Sequence, residues 1–191
     1  MKKIVFDIET RNAFSDVGRN DPALLDISVV GVYDYETDSY KAFVQEEFKD
    51  MWPIFEHADM IIGFNSNHFD IPLLNKYYPG DLTKIKSFDL LEKVKESLGR
   101  RIGLGALAEA TLGYGKSGHG LEAIEWWKNG EIEKIKKYCL DDVKVTKEMY
   151  EFALKNGGVK YKNGEELAII RFNTKDWETV EDSAITHSLP F

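Results

Sequence analysis

"KKIVFDIET" occupies residues 2–10, and its reading decides the fold. Ile4, Val5 and Phe6 form the apolar run of a buried strand, predicted over residues 2–6, and two acids, Asp7 and Glu9, stand at its tip. Residues two apart on a strand share a face, so both carboxylates leave on the same side. Each negative charge makes the other harder to ionise, and desolvation raises the cost of both. Something in the fold has to compensate them.

Working outward, "DISVVGVYDY" (26–35) and "SYKAFV" (39–44) are β-rich runs separated by the polar "ETD", which predicts a hairpin. Residues 46–58 place Phe48, Trp52 and Phe55 at helical spacing, with Pro53 acceptable if the helix begins near Asp50. "DMIIGF" (59–64) reads as a short buried strand. Residues 69–78 read as a helix with Pro72 in its first turn. A brief strand at 87–89 leads to a helix over 90–99 that Gly99 closes. Further helices are predicted over 104–113, 121–130 and about 131–156, with a loop at 114–120. Residues 159–172 form a hairpin turning at Asn163-Gly164, followed by a polar tail or strap. Antiparallel strands followed by strands alternating with helices give an α/β fold, a mixed sheet flanked by helices. The expected division is a main unit over 1–158, with 159–191 packed on it or extending it.

A chain of 191 residues, 43% hydrophobic and 13% aromatic, folds as a globule with a real core. The single Cys139 leaves no internal disulfide, which suits a reducing compartment. No signal pattern and no apolar run near the ~20 residues of a membrane span is present, so a soluble, cytoplasmic protein is expected. The net charge of −8 is uneven. Residues 1–83 hold 7 Lys/Arg against 15 Asp/Glu, residues 84–147 hold 13 against 10, and residues 148–191 hold 5 against 8. A basic middle keeps a phosphate-backbone partner open despite the acidic total.

The acids then fall into a pattern. Asp70, in "GFNSNHFDIPLL" (63–74), follows a strand and a polar loop; alone it reads as a first-turn helix acid. In "KKYCLDDVKVT" (136–146), Tyr138 and Asp142 are four apart and share a helical face, with Asp141 turned about 100° away. Four carboxylates from three distant segments converge only around cations. Hard oxygen donors without Cys or His partners select Mg²⁺ or Mn²⁺, and several carboxylates suit a pair of ions about 4 Å apart.

These three segments resemble the motifs of the DEDD 3′–5′ exonucleases of the ribonuclease-H-like fold. "FDIET" is similar to the first, "NSNHFD" to the second and "YCLDD" to the third in its tyrosine form. The resemblance spans about residues 3–155 and is strongest to the proofreading domain of family-B DNA polymerases. It implies a sheet whose first three strands are antiparallel and whose later strands are parallel. It also implies two divalent ions, Mg²⁺ or Mn²⁺, held by Asp7, Glu9, Asp70 and Asp142, with Tyr138 orienting the attacking water. On this basis Thr10 and Asn65 are candidate contacts to the substrate terminus, equally readable as turn residues, and Phe69 is a stacking candidate more easily read as core. Arg100, Arg101, Lys116 and the Lys134/Lys136/Lys137 set are the leading phosphate contacts, although most single lysines here read as solvated helix faces. His119 reads as a loop residue, Asp89 as a helix cap, and one of Trp126 and Trp127 as core with the other at a rim.

The expected activity is hydrolysis at the 3′ end of single-stranded nucleic acid, DNA favoured, releasing nucleoside 5′-monophosphates. An RNA-processing 3′–5′ exoribonuclease with the same site is the first rival, and a catalytically dead nucleic-acid-binding module the second. The length leaves no room for a polymerase module, so action alone or in trans is expected.

Overall fold

The computed structural model describes residues 1–115 and 120–179. Its elements in chain order are β1 (Lys3–Thr10), α1 (Phe14–Val17), β2 (Ile27–Asp34), β3 (Ser39–Phe43), α2 (Phe48–Glu56), β4 (Met60–Gly63) and α3 (Asp70–Asn75). They continue with β5 (Lys86–Asp89), α4 (Leu90–Leu98), α5 (Leu104–Leu112), α6 (Gly120–Lys128), α7 (Ile132–Asn156), β6 (Gly158–Asn163) and β7 (Glu166–Arg171). The main sheet has the order β3-β2-β1-β4-β5. Strands β1, β2 and β3 pair antiparallel, and β1, β4 and β5 pair parallel. This is the mixed α/β sheet expected of a ribonuclease-H-like fold.

Alternation along β1 builds the two layers around the sheet. Ile4, Phe6 and Ile8 enter the core with Phe48, Phe55, Leu73 and Leu74 from α2 and α3. Val5 enters the opposite core with Val143, Val145 and Met149 from α7 and with Leu104 and Leu107 from α5. Asp7 and Glu9 therefore emerge on the α7 side. The register between β1 and β2 slips after Glu9, so the bulge sits at the acids, where bulges re-aim side chains.

Two element boundaries and the burial of one side-chain pair differ from those predicted. The first strand extends to Thr10, because Asp7, Ile8 and Glu9 stay in register with β2; the acids lie within the strand rather than beyond it. Helix α2 starts at Phe48, which leaves Pro53 inside it. A short 3₁₀ turn over Gln45–Glu47 supplies the entry that Asp50 was expected to provide. Trp126 and Trp127 are both half-buried: Trp126 meets Tyr138 edge-on at 5.7 Å, and Trp127 carries the Arg11 guanidinium at 4.3 Å.

The chain after α7 packs on the body. Val159, Ile170 and Trp177 join the α7-side core, and Trp177 lies 4.5 Å from Phe88 and stacks on Tyr150 at 6.0 Å. Glu178 pairs with Lys3 and accepts a hydrogen bond from the Tyr150 hydroxyl at 3.1 Å. Residues 173–179 are thus a strap, while the remainder of the predicted tail lies outside the described residues.

At Gly31 α7 packs tightly against the sheet. This residue of β2 pairs with Asp7, and a Cβ there would lie 2.9 Å from Cys139 Sγ, 3.0 Å from Val143 Cγ2 and 3.4 Å from the Cys139 carbonyl carbon. Glycine lets the helix that carries Asp142 sit directly over the strand neighbouring Asp7. Replacing Gly31 with Ala is expected to cost about 1–3 kcal/mol in urea unfolding, because a rigid core is overpacked. Adding Cys139→Ala should recover part of that loss, and a double-mutant cycle measures the coupling.

Candidate active site

The side chains of Asp7, Glu9 and Asp142 each offer an oxygen, and these oxygens lie within 4.8 Å of one another. Asp142 is fully buried, Glu9 is buried and Asp7 is half-buried. The strand period aligns Asp7 with Glu9, and the helix packed on Gly31 brings Asp142 across to them. Beneath the cluster, Cys139 Sγ donates to the Asp7 main-chain oxygen at 3.3 Å, and burial followed by the Asp7 charge pushes its thiol well up. The thiol is held protonated against the backbone, so the donors presented are carboxylates, hard oxygens suited to Mg²⁺ or Mn²⁺.

Asp70 opens α3 and is buried. Burial first, then the charges of Asp7 and Asp89, hold its carboxyl well above the usual carboxylate range, while the backbone N–H groups of Ile8 and Asp70 itself pull the other way. Asp70 is not part of the close trio, but it shares a pocket of about 390 Å³ with all three. Tyr138, buried one turn before Asp142, lines that pocket as well. Its lining is partly apolar: Phe14 meets Phe69 edge-on at 6.0 Å, and Leu121, 70% exposed, and Ile124 of α6 also line it. An exposed leucine beside buried carboxylates fits a ligand that is part charged and part flat and apolar.

The remaining predicted residues divide. Thr10 and Asn65 line the pocket; the Thr10 hydroxyl donates to the Asn12 carbonyl at 2.8 Å, the turn role anticipated for it. Asn65 holds φ at +66°, and its side-chain oxygen accepts from Arg101 Nη2 at 2.6 Å. Arg101 lies in a neighbouring groove of about 700 Å³ that meets the first at Asp7, Phe64 and Asn65. Arg100 lines neither, its guanidinium resting 5.6 Å from the Tyr161 ring centre. Lys116 and His119 lie outside the described residues.

Sequence reasoning missed Phe14, Leu121 and Ile124, whose helical spacing reads as ordinary packing. It also read Asp89 as a helix cap alone, whereas its carboxylate further accepts from the Asn65 and Asn67 N–H groups.

The described residues include no helix long and apolar enough to cross a membrane. The family model RNase_H_2, described as RNase_H superfamily, matches residues 4–154. Among curated proteins no sequence matches significantly. Among solved structures, the chain is similar to the family B DNA polymerase from the hyperthermophilic archaeon Pyrobaculum calidifontis, with a TM-score of 0.60 and 21% identity. That alignment covers 81% of this chain and 24% of the polymerase chain, and at such identity the likeness is one of fold. A nuclease-type fold with a buried acidic cluster able to hold a metal ion is what the geometry and the comparisons share, and the chain belongs to the RNase_H superfamily.

Proposed function

We propose that the chain is a metal-dependent 3′–5′ exonuclease that removes nucleoside 5′-monophosphates from single-stranded ends, DNA favoured over RNA. In this reading residues 1–158 form the exonuclease unit and 159–191 belong to the same domain. The observation that carries it is the gathering of Asp7, Glu9 and Asp142 within 4.8 Å, with Asp70 and Tyr138 facing the same pocket.

Asp7, Glu9 and Asp142 would hold one divalent ion, and Asp70 with Asp7 a second. When bound, such ions acidify water and neutralise charge on the transferring phosphate. The chain's own groups do the rest. Phe14, Phe69 and Leu121 take the terminal base between apolar walls, a contact that tolerates any base. Thr10 and Asn65 face the terminal sugar, and Arg101, anchored to Asn65, meets the phosphate backbone. Tyr138 orients the attacking water through its hydroxyl, since a phenol is a poor base at neutral pH and the acidity comes from the metal.

Tyr138→Phe keeps the ring against Trp126 and deletes only the hydroxyl. It is expected to lower kcat about 10–100-fold with KM nearly unchanged, as read from initial rates on a single-stranded oligonucleotide. The proposal itself is tested by incubating 5′-labelled DNA and RNA strands of matched sequence with Mn²⁺ and with EDTA. A ladder that shortens one nucleotide at a time from the 3′ end, only with metal, is the expected outcome. Internal cuts, or intact strands in both lanes, overturn it. Faster shortening of RNA would transfer the assignment to an exoribonuclease.

A further inference from the structure

Asp89 ends β5 and is buried, with 2% of its surface exposed. As the cap of α4 its Oδ1 accepts from the Leu91 N–H at 2.9 Å and the Glu92 N–H at 3.4 Å, which is all that a helix start requires. Two further bonds do not belong to the helix. Oδ1 also accepts from the Asn65 N–H at 2.8 Å, and Oδ2 accepts from the Asn67 N–H at 3.0 Å. The Asn67 side chain adds a bond from Nδ2 to Glu92 Oε2 at 2.7 Å.

The loop gripped in this way is under constraint. Gly63, opposite Asp89 in the parallel register, would place a Cβ 2.4 Å from Ser66 Cβ, so the chain doubles back tightly on leaving β4. Asn65 holds a left-handed φ, which costs a non-glycine residue of order 1 kcal/mol or more and persists only where neighbours over-determine it. From there the loop turns into α3 through the Phe69 N–H to the Asn65 oxygen at 3.0 Å and the Ile71 N–H to the Ser66 oxygen at 2.9 Å. It therefore delivers Asp70 to the acid pocket, and through Phe64 and Asn65 it forms the wall shared by the two grooves.

We infer that Asp89 is a positioning residue of the active centre: its carboxylate sets the 64–69 loop, and thereby the placement of Asp70 toward metal and of Asn65 toward the substrate strand. The inference rests on the exonuclease reading for its kinetic consequence, though not for the loop geometry. A carboxylate shared between a helix cap and a distant loop is also distinguishable from a cap alone. Serine caps helices about as well as aspartate, but its one oxygen, an atom closer to its own backbone, cannot replace both Oδ1 and Oδ2, between which Leu91, Asn65 and Asn67 are divided here.

The test compares Asp89→Ser and Asp89→Asn with the parent by amide hydrogen exchange and by the Mn²⁺ concentration that half-saturates both the rise in Tm and the hydrolysis rate. In Asp89→Ser, protection at Asn65 and Asn67 should be lost while that at Glu92 and Lys93 in α4 remains. Half-saturation should need about 10–100-fold more Mn²⁺, the range seen when a group supporting a metal ligand is removed. Asp89→Asn, which keeps Oδ1 but turns a donor toward the Asn67 N–H, should fall between. Should Asp89→Ser fail to fold, Asp89→Asn carries the same readouts. Parental exchange at Asn65 and Asn67, together with an unchanged Mn²⁺ requirement, would reduce Asp89 to a helix cap and overturn the inference. If the parent cleaves no strand, the exonuclease reading fails, and the exchange pattern still decides the role of Asp89.

Discussion

Asp7→Asn is expected to abolish hydrolysis, lowering kcat/KM by on the order of 10³-fold or more, while raising the melting temperature of the metal-free protein. The two effects share one cause. Asp7 lies in the carboxylate trio with Glu9 and Asp142, and after burial its charge is the largest influence raising the Asp70 carboxyl. An amide keeps the shape and removes the charge, so the buried acids repel less. For a domain of this size each 1 kcal/mol of repulsion relieved adds about 2–4 °C to Tm. The backbone contact from Cys139 to the Asp7 main-chain oxygen is untouched by the substitution, so the local packing should survive. Scanning calorimetry in EDTA, paired with the end-labelled strand assay, reads both halves. Retained activity would remove Asp7 from the metal site; a large fall in Tm would mean the carboxylate stabilises rather than strains the metal-free fold.

The second large effect is that of divalent metal on stability and on its pH dependence. The folded state holds the Asp70 carboxyl well above its ordinary value of 3.8, so between that value and the elevated one the folded protein binds more protons than the unfolded chain. Stability then falls as pH rises through that window, and the contribution from protonated Asp70 is complete only below it. Above that window the metal-free protein carries the cost of ionising Asp70 beside Asp7, only partly offset by the backbone N–H groups of Ile8 and Asp70. A cation bound among the acids offsets this cost. At one hundred times its Kd it stabilises by about 2.7 kcal/mol, which corresponds to a rise in Tm of about 5–10 °C. Melting curves from pH 4 to pH 8, with Mg²⁺, with Mn²⁺ and with EDTA, should diverge as pH increases. Coincident curves at every pH would leave the acid cluster without a metal.

The candidate site was legible in the sequence to the degree that it obeys local periodicity. Asp7 and Glu9 share a face because a strand repeats every two residues, and Tyr138 and Asp142 because a helix repeats every three to four. The convergence of the three segments was expected from chemistry, since carboxylates brought together out of water call for a compensating charge. The sheet order was readable in kind, from antiparallel runs followed by alternating strands and helices. Boundaries were not: β1 runs through its acids because β2 pairs with them, a partner that local pattern does not encode.

Asp89 shows most clearly where local reading stops. Its two bonds to α4 are within three residues and were anticipated as a cap, whereas those to Asn65 and Asn67 cross 24 and 22 residues. Gly31 and Cys139 are similar: neither carries a signal until α7 is laid on β2. The amino-acid sequence by itself determined the class of fold and the local faces that pair Asp7 with Glu9 and Tyr138 with Asp142, because these depend on residue type and repeat. Only the tertiary structure decided which carboxylates lie within reach of one another, which one is driven toward its protonated form and which one merely holds a loop, because burial and non-local hydrogen bonds exist only once distant segments are packed together.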